Sequence, residues 1–210
     1  KICTSKNIFI INELQNKFLI NTNSDNLYVN TIKRHTSQSY TSETIEEYYQ
    51  KGDNVFSLTI ETNNRSEPIK TILYETAYKT ERFIETNKEK IAILDLQDIM
   101  PKGKPSYSFP NQFEERDKLI WSTVGNFSDT ILNGKECYLV SNLIRPLISD
   151  ETVIEEFYVE KETGLLLKIV YRNGTEEFEY EFGSVDDSVF VEPDIKEYEI
   201  ITAEQYYFWK

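Results

Sequence analysis

The sequence predicts a mainly β (α+β) fold built on an antiparallel meander, and three observations carry that prediction. Phe178, Tyr180 and Phe182 alternate with Glu177, Glu179 and Glu181, the period of a half-buried strand. Turn signals recur at short intervals, among them Gly52-Asp53-Asn54, Asn63-Asn64-Arg65-Ser66, Asn133-Gly134 and Asn173-Gly174. Aromatic residues make up 13% of the 210 residues, with 14 Tyr and 12 Phe, and these side chains favour strands and argue against disorder.

The first element is the exception to the β pattern. Over residues 7–19, Ile8, Ile11, Leu14 and Phe18 recur at three- and four-residue steps, which predicts a helix with Ser5 as its cap. Residues 21–26 are a loop by composition. A strand over 27–33 is expected next, then a Ser/Thr-rich loop or ragged edge over 36–42. Strands marked by Ile45, Glu47 and Tyr49, by Phe56, Leu58 and Ile60, by Ile72 and Tyr74, by Phe83, and by Ile91 and Ile93 follow in turn. Pro101, Pro105 and Pro110, with Gly103, break any regular element over 98–110. A helical segment is expected over 111–124, from Phe113, Leu119, Ile120 and Val124. Strands then return on either side of the two Asn-Gly hairpins and the Lys161-Glu162-Thr163-Gly164 turn. Neither flank of the proline-rich stretch has enough strands to close its own core, so residues 1–210 are read as a single domain.

Charge narrows the functional classes. Lys and Arg number 23 against 36 Asp and Glu, a net charge of −13. Phosphate backbones and anionic lipid surfaces need cations, so nucleic-acid binding and electrostatic membrane docking are disfavoured. No apolar run reaches transmembrane length. The sequence starts Lys1-Ile2-Cys3 without an initiator Met, which is read as a removed export signal and an extracytoplasmic location, with an upstream anchor left open. Cys3 and Cys137 lack metal-ligand spacing and allow either one long-range disulfide or two free thiols, with Cys137 a small core residue.

Catalytic motifs are missing from the pattern. His35 is the one histidine and sits in a polar stretch, where a surface role is the default. There is no Gly-rich phosphate loop, nucleophile elbow or zinc-helix motif. Asp186-Asp187 lacks the alternating ligands of a calcium loop. Glu177, Glu179 and Glu181 share the strand face opposite the aromatics, which places them in solvent and not in a catalytic pocket. No catalytic residue, metal ligand or cofactor is therefore expected.

The C-terminal third carries a resemblance. It runs Phe157-Tyr158-Val159-Glu160-Lys161-Glu162-Thr163-Gly164-Leu165-Leu166-Leu167-Lys168, then an Asn-Gly turn, then Phe178-Glu179-Tyr180-Glu181-Phe182 and Val189-Phe190-Val191-Glu192-Pro193. This resembles the outer-membrane lipoprotein carrier superfamily, the LolA, LolB and RseB-like proteins. Leu167 stands where that family often has proline. Asn133 to Val140 resembles exported Firmicutes members of the group. The resemblance implies a strongly curved antiparallel sheet forming an unclosed half-barrel, with the N-terminal helix and the central helical segment across its concave face. It also implies a non-catalytic binding domain with an apolar cavity for a lipid or a lipoprotein acyl chain. Phe56, Leu58, Ile60, Ile72, Tyr74, Phe157, Leu167, Phe178, Tyr180 and Phe182 fall on the expected inner faces and are the candidate ligand-binding residues; core packing is the competing account of each. The alternative is an RseB-like sensor with a packed interior that holds an envelope protein.

Overall fold

The structure is a computed structural model that describes residues 5–94, 96, 107, 109–110, 121, 125–144 and 153–208. Its elements are α1 (Ser5–Asn21), β1 (Asn26–Thr36), β2 (Thr41–Lys51), β3 (Asn54–Asn63), β4 (Ile69–Glu75), β5 (Thr80–Glu85), β6 (Lys90–Ile93), β7 (Asn126–Leu132), β8 (Lys135–Ile144), β9 (Val153–Glu160), β10 (Leu166–Tyr171), β11 (Gly174–Phe182), β12 (Glu199–Ile201) and α2 (Ala203–Phe208). Hydrogen bonding orders the strands β12-β6-β5-β4-β3-β2-β1-β11-β10-β9-β8-β7, and the sheet does not close on itself. Pairing is antiparallel from β1 through β6 and from β7 through β11. The expected all-antiparallel meander has one exception, because β12 returns to run parallel to β6.

The chain forms two compact units, Lys1–Asn23 with Ser108–Phe178, and Ser24–Tyr107 with Glu179–Lys210; β11 passes from one to the other after Phe178. In the first unit α1 buries Ile10, Ile11, Leu14 and Phe18, one stripe at helical spacing. It lies on the turn between β9 and β10. Lys17 Nζ donates to the Lys161 carbonyl at 2.7 Å, and Asn21 Nδ2 donates to the Thr163 carbonyl at 3.2 Å. Gly164 makes this approach possible. Its φ is +73°, and a Cβ there would stand 2.3 Å from the Leu14 carbonyl oxygen and 2.8 Å from the Phe18 nitrogen. Beneath the turn Leu165, Leu166 and Leu167 are all buried. Three consecutive buried residues break the strand period, and the pairing of β10 with β9 shifts between Leu166 and Lys168, an extra residue of the kind that forms a bulge. Trp121 is helical and 1% exposed, and its ring meets Phe157 edge-on at 5.3 Å and Phe127 at 6.3 Å. The rest of the expected helix over 111–124 lies outside the described residues.

In the second unit β1 and β2 run further than their sequence suggests, and the Ser/Thr-rich stretch contributes Thr36 to the end of β1 and Thr41 and Ser42 to the start of β2, around a turn at 37–40. The Asn133-Gly134 turn forms as expected, with φ of 52° and 80°. The second hairpin does not turn on Asn173-Gly174. Tyr171 pairs with Gly174, so Arg172 and Asn173 make the loop and Gly174 begins β11. After β11 the chain makes two short 3-10 turns, Asp187–Val189 and Ile195–Glu197, each opened by an Asp side chain that accepts from the backbone two residues on. Cys137 is a free, buried thiol that packs as a small apolar side chain, and Cys3, the other half of the disulfide that the sequence allows, lies outside the described residues.

Candidate functional site

Directly opposed residues of an antiparallel pair point to the same face, so the register assigns every side chain of β1 to β6. One row across the sheet is Val29, Tyr48, Ser57, Leu73, Arg82 and Ile93. The adjoining row carries Leu27, Gln50, Val55, Glu75 and Thr80. On β1 to β3 this is the more deeply buried face, with Leu27, Val29 and Val55 each 1% exposed or less, and Ile93 is buried on it too; on β4 and β5 its members Leu73 and Arg82 are half-buried, and Ile72 and Phe83 on the opposite face are the buried ones. Polar side chains are buried among them, namely Thr31, Gln50, Ser57 and Thr80. Tyr48 donates to Gln50 Oε1 at 3.1 Å, and Gln50 Nε2 donates to the Gly52 carbonyl at 3.3 Å. Tyr107 closes on this corner, its ring 5.0 Å from Tyr48 and its hydroxyl 3.5 Å from the Thr31 hydroxyl. Burial, then the nearby Tyr107, pushes the Tyr180 phenol well above its ordinary value. Burial likewise pushes the Glu75 carboxyl up, against a hydrogen bond from Thr80.

The opposite face holds Phe56, Leu58, Ile60, Ile72 and Tyr74. The register pairs Phe56 with Tyr74 and Leu58 with Ile72, and Ile72 with Phe83 beyond. Ile72, Phe83 and Ala92 form a small core there, with Phe56, Leu58, Tyr74 and Tyr198 packed against it. Tyr198 arrives from the C-terminal segment, meets Phe83 edge-on at 5.1 Å and donates to the Glu85 carboxylate. Further along, Tyr28, Tyr49, Phe56 and Tyr74 make one row of half-buried rings. The Tyr28 and Tyr49 rings are 4.8 Å apart, and burial together with Glu47 pushes the Tyr49 phenol up to about 12.

The ten candidate residues therefore do not share one surface. Tyr180, close to Tyr107, belongs with the deeply buried face, and Phe182 has the same strand parity. Phe56, Leu58, Ile60, Ile72 and Tyr74 lie on the other side of β3 and β4. A one-residue difference in parity moves a whole strand's side chains across the sheet. In β3 both parities carry apolar groups, Val55 on one side and Phe56, Leu58 and Ile60 on the other, and the larger side chains mark the less buried face. Phe157, Leu167 and Phe178 belong to the first unit. Phe157 packs on Trp121, while Leu167 and Phe178 are buried. The buried polar positions Thr31, Gln50, Ser57 and Thr80 escaped the sequence reading, because a search for apolar alternation passes over them.

His35 is exposed, its ring 6.1 Å from Tyr40. Glu179 and Glu181 are exposed as expected and Glu177 is half-buried, 2.7 Å from Lys168. Among the described residues no group of three His, Cys, Asp or Glu side chains is placed to hold a metal ion. No described helix is long and apolar enough to cross a membrane.

The protein is thus a mainly β, open-sheet protein. Against known proteins, no family model and no curated protein sequence matches. Solved structures do. A DUF1329 family protein from Desulfovibrio piger is 11% identical, with 91% of this chain and 98% of that one covered and a TM-score of 0.31. MucB is 10% identical, with 87% of this chain covered and a TM-score of 0.45, and this chain spans only 62% of its length. LprF from Mycobacterium bovis is 9% identical, with 89% and 96% covered and a TM-score of 0.44. Likeness at this level bears on neither ligand nor partner, and it says nothing of a Firmicutes origin.

Proposed function

We propose that this protein is an extracytoplasmic, non-catalytic binding domain that takes up a lipid or the acyl chain of a lipoprotein against the face of β1 to β6 that carries Leu27, Val29 and Val55. The observation that carries the reading is the composition of that face. A plain core is mostly apolar. A ligand wall sets a few polar groups among apolar ones, as Thr31, Gln50, Ser57 and Thr80 stand among Leu27, Val29, Val55 and Ile93. The apolar members supply affinity by leaving water, and the polar members fix orientation. Tyr180 and Phe182 are retained as wall residues, whereas Phe56, Leu58, Ile72 and Tyr74 are reassigned to packing with Tyr198, and Ile60 is half-buried on that same side. Residues 1–210 are read as one functional domain, since β11 contributes to both units.

The test is native mass spectrometry of protein purified without detergent, beside lipid extraction of the denatured sample. An acyl lipid at fixed stoichiometry, lost when Val55 is changed to Asp, is the expected result. A clean apo mass that stays unchanged after incubation with lipids overturns the reading.

One observation favours a second reading, an envelope regulator that holds a protein partner. On α1, Ile8, Phe9, Leu19 and Ile20 are exposed, the last at 76%. Lipid-free protein that still pulls down one envelope protein, with the capture abolished by Phe9→Ser and Ile20→Ser together, would favour it.

A further inference from the structure

We infer that Arg82 is the anchor for an anionic group, a carboxylate or phosphate, on a ligand held at the face of β1 to β6 that carries Val29, Tyr48 and Ile93. The inference names the head group of the ligand proposed above and in that respect rests on that reading.

Arg82 lies in the middle of β5, paired with Leu73 on one side and Ile93 on the other, in the row that also holds Val29 and Tyr48. Its side chain therefore stands on the face where Ile93 is 0% exposed. The Nε atom is buried and has no hydrogen-bond partner. Native proteins satisfy nearly all such donors, with protein groups, water or a ligand. Among the described residues no carboxylate lies within ion-pair distance of it. The contrast within the same unit is sharp. Arg34 meets Glu43 at 2.7 Å, Lys70 meets Glu85 at 3.0 Å, and Lys79 meets both Glu81 and Glu192. Acidic residues outnumber basic ones by the 13 charges of the net, so carboxylates are not scarce. Glu75, one row along the same face, takes its hydrogen bond from Thr80 instead.

The chemistry of the donor selects the ligand. A guanidinium presents Nε and a terminal nitrogen in a planar fork that fits two oxygens of a carboxylate or phosphate. It stays charged at any physiological pH, so the ligand must bring the negative charge. Leu73 and Ile93 flank the fork with apolar surface. An amphiphile with an anionic head thus satisfies the donor and covers its surroundings together, whereas a neutral lipid leaves the guanidinium unpaired. Thr31, Gln50, Ser57 and Thr80 bear hydroxyl or amide groups, and Lys33, a further cation that the register puts on this face, is exposed towards the end of β1.

The test compares amphiphiles that share a chain and differ in head group. Oleate, dodecyl phosphate, oleyl alcohol and inorganic phosphate alone are titrated by calorimetry into the wild type, Arg82→Gln and Arg82→Lys, with circular dichroism confirming that each variant folds. Wild type should bind oleate and dodecyl phosphate at least about tenfold more tightly than oleyl alcohol. Arg82→Gln should erase that preference while keeping the affinity for the alcohol, and Arg82→Lys should keep part of it, since it retains charge without the fork. Equal binding of acid and alcohol by wild type, or a preference that survives Arg82→Gln, overturns the role of Arg82 and leaves lipid binding standing. Inorganic phosphate bound in an Arg82-dependent way, with no amphiphile bound, supports the anion site as one for a free anion and overturns the lipid reading. Failure to bind any of the four overturns both.

Discussion

Gly164 and Gly134 both adopt positive φ, yet their surroundings separate them. Alanine at Gly134 meets nothing within 4 Å and has only the left-handed backbone to bear, about 1 kcal/mol. Alanine at Gly164 bears that and also drives a methyl into the backbone of α1, so a loss of about 3 kcal/mol is expected in urea unfolding. Equal losses at the two sites would refute the docking of α1 on the turn. Cys137 gives a second residue-level prediction. Burial, more than any other influence, pushes its thiol up, so little thiolate is present and access is closed. Iodoacetamide should leave it unmodified in the folded protein and modify it readily in urea, as read by mass. Glu85 gives a third. Burial works to raise its carboxyl, but hydrogen bonds from Tyr198 and Lys70 outweigh that and hold it below its ordinary value of 4.5. Its contribution to stability is complete above that value and is lost as the pH falls through the depressed one. Glu75 and Glu81, pushed up chiefly by burial, act the other way and weaken the fold as the pH rises through their raised values. Carboxyl NMR titration should find Glu85 low and Glu75 high, and Tyr198→Phe should move Glu85 upward.

At the scale of elements, how much the sequence reveals depends on how many faces an element buries. β11 has one buried side, with Phe178 and Tyr180 in and Glu179 and Glu181 out, and its alternation is readable without coordinates. α1 is nearly as plain, because Ile11, Leu14 and Phe18 recur at helical spacing and are buried, although Ile10 joins them and Ile8, expected in the same stripe, is exposed. β3 is not, since both its faces are covered and its largest side chains sit on the shallower one. Short-range signals can also mislead by one residue. Asn173-Gly174 has the composition of a two-residue loop, but the pairing of Lys168 with Glu177 and of Ile169 with Glu176 sets the loop at Arg172-Asn173. The bulge at Leu167 is invisible to a period-two search, because three buried leucines in a row fit no simple strand. Trp121 packs on Phe127 of β7 and Phe157 of β9. Trp121→Ala should cost about 3–5 kcal/mol, measured by urea unfolding, and a loss under 1 kcal/mol would show that its ring does not pack there.

For the whole molecule, the strand order joins distant parts of the chain. β1 and β11 are neighbours, and β12 sits beside β6, although the residues between them build most of the protein. Local signals identify hairpins and say little about such joins, which is why the mainly β class was legible and the parallel closing strand was not. That closing strand has a consequence for the life of the chain before it is whole. During synthesis β6 emerges long before Glu199–Ile201, so its outer backbone groups wait as an open template for any strand that passes. Nascent or C-terminally clipped molecules should therefore be the aggregating species, and a chaperone that shields an edge would find its client in them rather than in the finished protein.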